Sequence, residues 1–144
     1  MHPYPHLYTV ESAAEATGDV SLASTGLPVI ASAPPPEFDG PGGRWSPEHL
    51  LVAAVADCLI LSFRGVARAN KFEWHSLECS VEGTLDKVEG RTRFTRMAAR
   101  ATLRVPAGTD EAKAKQLLAR AEHVCLISNS LLAERSIEST IVFA

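Results

Sequence analysis

The stretch from Ser46 to Asn70 constrains the fold more than any other part of the chain. Ser46 is a good N-cap, Pro47 suits the first helical position, and Glu48 favours the positive end of a helix. Leu50, Leu51, Ala54, Val55, Cys58, Leu59, Phe63 and Val66 follow at i, i+3, i+4 spacing, which predicts one helix from Pro47 to about Asn70. From Leu50 to Ile60 this helix is apolar nearly all round, and only Arg64, Arg68 and Lys71 charge its C-terminal end. Such a helix is buried on most sides, either inside a domain or between subunits. Its most apolar part, Leu50 to Phe63, is interrupted by Asp57 and falls short of the about 20 residues that a bilayer requires, so no membrane span is expected.

Around this helix the pattern is mixed. Leu7–Val10 and Val20–Ala23 are short and β-prone with a Gly18-Asp19 turn signal between them, and Leu27–Ala31 is a candidate third strand. Ala33 to Gly43, rich in Pro and Gly, reads as a loop. After the helix, Trp74–Leu85 alternates, Asp86–Gly90 reads as a turn, and Arg93–Val105 returns as a second long strand. Thr109 is the expected cap of a second helix from Asp110 to about Glu122. Ser128 is the expected cap of a short helix over Asn129–Glu134, and Ile137–Phe143 reads as the last strand. This order is α+β.

With 144 residues, the chain has the length of one domain. A net charge of −3 leaves no basic excess for phosphate backbones, so a nucleic-acid partner is not expected. The N-terminal Met1-His2-Pro3-Tyr4-Pro5 has neither a basic nor an apolar segment, so no secretory signal is expected and the chain is placed in the cytoplasm. Three Cys, at 58, 79 and 125, form no C-x-x-C pair and show no zinc spacing with His, so no metal is expected.

On position alone, Cys79 lies on the apolar face of a strand, Cys58 lies inside the apolar helix, and Cys125 precedes a helix start, where a thiolate is favoured. His123 stands two residues before Cys125, and a Cys-His pair admits a hydrolase or a thiol sensor, but no orienting acid has recognisable spacing. His49 reads as a surface or cap residue. Generic physics therefore yields an α+β domain with buried thiols.

The residues around those thiols are more specific. Phe38-Asp39-Gly40-Pro41-Gly42-Gly43, then Ser46-Pro47-Glu48, then a small-residue helix reaching Cys58 ten residues after the Glu, resembles the OsmC/Ohr family of osmotically inducible and organic hydroperoxide resistance proteins. Cys125 with Ser128 and Asn129 resembles the family's second Cys motif. Leu126 departs from it, standing where the family often has Pro, which changes the local turn.

The resemblance implies antiparallel sheets wrapped around the Cys-bearing helix in an intertwined homodimer. It implies a single domain over 1–144, with strands and Pro/Gly loop in 1–45, central helix in 46–70, long hairpin in 72–105, and the remaining helices and strand in 109–144. It implies thiol peroxidase chemistry without metal, flavin or haem. Cys58 would be the nucleophile toward an organic hydroperoxide, Cys125 would resolve the sulfenic acid as a disulfide, and a dithiol, in family terms a lipoyl group on a protein, would regenerate the pair. Burial disfavours a thiolate, so a cation must offset it. Family members use an Arg held by the Glu that is Glu48 here. Neither usual position carries an Arg: Ala13–Val20 has none, and the residue before the Phe-x-Gly loop is Glu37. Arg44, four residues before Glu48, is the substitute. Ten residues along one helix rise about 15 Å, so Glu48 and Cys58 share one Arg only if two helices pack in a dimer. The alternative on the same fold is a non-catalytic protein holding a lipid-like ligand in an apolar dimer cleft lined by Trp45, Leu51, Val55 and Phe63.

Overall fold

The computed structural model describes residues Met1–Ala144. The chain divides into two compact units, Met1–Leu50 and Leu51–Ala144. The division falls inside a helix, α1 (Pro47–Ala69), whose first turn belongs to the first unit.

In the first unit β1 (Glu11–Ala13), β2 (Val20–Ala23) and β3 (Ile30–Ser32) form an antiparallel sheet in the order β1-β2-β3. The expected strand over Leu7–Val10 is absent, and pairing starts only at Glu11 opposite Ala23. Pro36–Phe38 makes a single 3-10 turn. Gly40 has no substitute there, because a Cβ would lie 1.7 Å from the Pro34 carbonyl oxygen. The buried Ser46 caps α1 as the sequence indicates: its Oγ accepts the His49 N–H at 3.1 Å.

In the second unit β4 (Ser76–Val88) and β5 (Arg91–Val105) form a long hairpin, and β6 (Glu134–Phe143) lies parallel to β5. The sheet is therefore mixed rather than wholly antiparallel. The hairpin turn is tighter than expected. Glu89 and Gly90, both at positive φ (50° and 77°), complete it as a two-residue connection. A register shift between Thr84 and Leu85 leaves Thr95 unpaired on the opposite strand. This bulge reverses inward parity between Phe94 and Met97, which explains the imperfect alternation of the sequence.

Two helices cross from β5 to β6: α2 (Glu111–Val124) and the four-residue α3 (Leu126–Asn129). Asp110, not Thr109, caps α2, with its side chain accepting the Lys113 N–H. The short helix starts at Leu126, earlier than the Ser128 cap predicted, because Cys125 itself takes the extended conformation (φ −60°, ψ 108°) that separates the two helices.

The core forms where one stripe of α1 meets β5 and α2. Leu59, Phe63, Val66 and Ala67 pack with Ala101, Leu103 and Val105 of the strand and Ala114, Leu117 and Leu118 of the helix. Phe63 is fully buried, with the Trp74 ring edge-on at 5.2 Å. A second cluster around Val55, Met97 and Ala133 continues toward the α2–α3 junction through Ile127 and Leu131. At 23 residues, with a window of mean hydropathy 2.0, α1 is long and apolar enough to cross a membrane, contrary to the sequence estimate. Its buried stripe is nonetheless part of the second unit's core.

Candidate active site

The packing that buries α1 against the crossover brings Cys58 to the α2–α3 junction. Cys58 and Cys125 are both buried and both free, and they lie close enough that each shifts the other's pKa. The pair unites two elements far apart in sequence because Val55, about one turn before Cys58, and Leu59, next to it, are anchored in the two core clusters.

The two thiols are unequal. Burial raises the pKa of Cys58, but the backbone N–H of Ile127, the Cys125 thiol, the Ser62 hydroxyl and the Leu126 N–H together outweigh it, so Cys58 lies below the ordinary thiol value. Ser62 Oγ lies 3.7 Å from the Cys58 sulfur, one helical turn away on α1. Cys125 lies above the ordinary value. Desolvation is the main cause, and the interaction with Cys58 adds to it over the opposing effect of Ser128. Cys58 is thus the more acidic thiol of the pair and Cys125 the less acidic one. Cys79 is half-buried against the core, and its pKa is raised by desolvation and by the charge of Cys125.

No arginine is among the groups that lower Cys58. Arg44 pairs with Asp19 at 2.9 Å and its side chain is half exposed. It does not pair with Glu48, whose Oε2 is shielded from solvent without a hydrogen-bond partner. The cation–carboxylate pair expected from the sequence is therefore not made between these two residues. A different arginine, Arg135, is half-buried beside Cys125. It lines a cavity of about 10 Å³ with Cys125, Ser128, Val55 and Leu59, too small for a substrate. Its charge is taken up by Glu122, with Nε donating to Oε1 at 2.6 Å. The sequence reading missed Arg135, since a charged residue at a strand start carries no periodic signal.

His123 is exposed on the last turn of α2, and His49 is engaged by Ser46 through Nδ1 at 2.7 Å. No group of three His, Cys, Asp or Glu side chains gathers anywhere in the chain. The residues named for a lipid cleft of the dimer are placed differently within the chain. Phe63 is sealed in one buried cluster and Val55 in another, while Trp45 is exposed. An open groove of about 600 Å³ lies between α1 and α2, lined by Ser62, Val66, Leu117, Lys113 and Arg120 among others. Ser62 links this groove to the Cys58 sulfur.

A long apolar helix carrying one free thiol, opposed by a second at a helix junction over a mixed sheet, defines an α+β dithiol protein. The family model described as OsmC-like protein matches residues 40–141, and the chain belongs to that family. A Bacillus subtilis protein, the uncharacterized YmaD, is 28% identical over 116 residues, covering 78% of this chain and 77% of its own. An OsmC-like protein of unknown function from Vibrio cholerae superposes with a TM-score of 0.85 at 19% identity, over 94% of this chain and 99% of that one. An organic hydroperoxide resistance protein, OsmC, from Legionella pneumophila superposes with a TM-score of 0.74 at 23% identity, over 97% and 99%.

Proposed function

We propose that this chain is a thiol-dependent peroxidase that reduces organic hydroperoxides to alcohols. The observation that carries the reading is the pair of neighbouring, buried and free thiols, Cys58 and Cys125, of unequal acidity. The Cys58 thiolate attacks the distal peroxide oxygen, and the O–O bond breaks. The alkoxide takes a proton and leaves as alcohol, while Cys58 becomes sulfenic acid. The Cys125 thiol then attacks the Cys58 sulfur, forming a disulfide and releasing water. An external dithiol, such as a lipoyl group on a partner protein, exchanges with the disulfide and restores both thiols.

The junction groups that lower Cys58 stand in for a cation in this reading, and the groove at Ser62, lined by apolar Val66 and Leu117 and by polar Lys113 and Arg120, gives an alkyl hydroperoxide an approach. The Legionella relative, named as an organic hydroperoxide resistance protein, supports the same substrate class. The functional unit in this reading is a homodimer. What supports it is the outer surface of α1: only 28% of its most apolar window is buried within the chain, and Leu61 is half exposed. The orphaned Glu48 carboxylate then has the partner copy as a source of its cation.

The test is thiol titration with intact mass before and after one equivalent of cumene hydroperoxide. Wild type loses two thiols per chain and about 2 Da as the disulfide forms. Cys58→Ser does neither. A folded, reduced wild type that keeps its thiols under these conditions overturns the reading.

A further inference from the structure

We propose that Arg135 is a positioning residue for the second thiol: together with Glu122 and Asn129 it clamps the helix junction that carries Cys125 and sets the rate at which Cys125 closes onto oxidised Cys58. The inference rests on the peroxidase reading and deepens it.

The geometry is specific to the junction. Cys125 is the last residue of α2's cap and the first of α3's, a single extended residue between two helices. Its own N–H donates to the Glu122 carbonyl at 3.3 Å, and its own carbonyl accepts the Asn129 N–H at 2.9 Å. Those two residues, before and after the hinge, are the ones Arg135 holds. Nε donates to Glu122 Oε1 at 2.6 Å, Nη1 donates to Asn129 Oδ1 at 2.6 Å, and Nη2 donates to the Glu122 carbonyl oxygen that Cys125 also uses. The planar guanidinium thereby fixes both flanks of one residue from a strand that is itself locked, Arg135 pairing in register with the buried Met97. Side chains of Glu122 and Arg135 are only 21% and 24% exposed, so water competes weakly for these bonds.

Disulfide formation demands tight approach of two sulfurs, and misplacement by an ångström costs orders of magnitude in rate. The first oxidation occurs at Cys58 on α1, which the clamp does not touch. The clamp's own partners, Glu122 and Asn129, flank Cys125, so it bears most directly on the second step, the displacement of water from Cys58 sulfenic acid by the Cys125 sulfur, and the partition of already oxidised Cys58 reads that step apart from any change in the first. A clamp that fails leaves sulfenic acid exposed to a second equivalent of peroxide, which carries it to sulfinic acid.

The experiment measures, on the full chain, the partition of oxidised Cys58 between disulfide and dimedone-trapped sulfenic acid after one equivalent of cumene hydroperoxide. Circular dichroism reports the fold of each variant. Wild type partitions to disulfide. Arg135→Met shifts the partition toward the dimedone adduct by about tenfold and accumulates sulfinic acid with excess peroxide. Glu122→Gln, which keeps an acceptor oxygen for Nε, stays near wild type, whereas Glu122→Ala follows Arg135→Met. If Arg135→Met does not fold, Asn129→Ala, which removes one arm at an exposed residue, gives the same shift in smaller measure. Diamide, which bridges dithiols without a peroxide, separates the two readings. Slower Cys58–Cys125 closure by diamide in the variants supports the clamp even if wild type ignores hydroperoxide. Unaltered partition and unaltered diamide closure in folded Arg135→Met or Asn129→Ala overturn it.

Discussion

Replacing Leu126 by proline removes one backbone N–H and little else. The Leu126 side chain is 67% exposed, so its loss forfeits little burial. Leu126 is the first residue of α3, a position that suits proline, and Cys125 before it, at φ −60° and ψ 108°, sits near the extended region that a residue preceding proline prefers. The N–H that disappears is one of the four groups that hold Cys58 below the ordinary thiol value, and the smallest of them. A hydrogen bond to a charged group contributes about 1.5–3 kcal/mol, and the least of four bonds to a large, diffuse sulfur anion is worth about 1 kcal/mol. At fixed neutral pH that is about a fivefold fall in the thiolate population of Cys58 and in its rate with hydroperoxide or iodoacetamide. Raising the pH removes the difference, because both proteins are then fully deprotonated at Cys58. Stability moves the other way: proline restricts the unfolded chain and adds about 0.4–1 kcal/mol where its conformation already fits. The assay is a pH series of stopped-flow rates beside a thermal melt. A folded Leu126→Pro protein with wild-type rates at every pH would refute the argument that backbone donors, rather than a cation, generate the thiolate.

Further outcomes follow from the same geometry. Ser62→Ala removes the hydroxyl 3.7 Å from Cys58 and lowers the neutral-pH rate by about threefold to tenfold, again recovered at high pH, in the same stopped-flow series. Iodoacetamide labelling read by peptide mass modifies Cys58 at lower pH than Cys125 or Cys79, because Cys58 is shifted down while burial shifts the other two up; labelling of Cys125 first would contradict the assigned roles. Cys125→Ser still consumes one equivalent of hydroperoxide but stops at a dimedone-reactive species, as intact mass shows. Gly83→Ala pushes a methyl to within 2.7 Å of a Val52 methyl and 3.0 Å of the Phe94 ring. The overpacking costs about 1–3 kcal/mol, read as a fall of about 3–10 °C in Tm.

The long helix was legible because cap, first-turn proline and apolar spacing agree on one start, and the structure places it at Pro47–Ala69. The hairpin was legible in outline only. One unpaired residue at Thr95 shifts inward parity, and alternation read from either end disagrees in the middle. The start of α3 was misplaced because no side chain caps it; Cys125 opens the helix by backbone conformation alone. The parallel pairing of β6 was beyond local pattern, since strand direction is decided by how α2 and α3 cross. Among the site residues, Cys58 and Cys125 were marked by motif. Their contact, however, depends on two core clusters that bring α1 to the junction. Arg44 was assigned by proximity in sequence to Glu48, yet its guanidinium turns to Asp19 beyond the first hairpin. Arg135 was invisible because its partners lie 6 and 13 residues away on opposite sides of a hinge, a separation that matches no helical or strand period.

The junction that seats Cys125 against α1 has a consequence for how the molecule endures heat and proteolysis. A bridge between the two thiols ties chain segments 67 positions apart into one covalent loop (125 − 58). Closing a loop of that size removes about 4 kcal/mol of freedom from the unfolded ensemble, on the scale of a domain's entire margin of about 5–15 kcal/mol. A peroxide-treated population is then the durable one, and the freshly reduced population is the one that opens, is cleaved and is turned over first. The cell's thiol balance would thereby set the lifetime of this protein as well as its readiness to react.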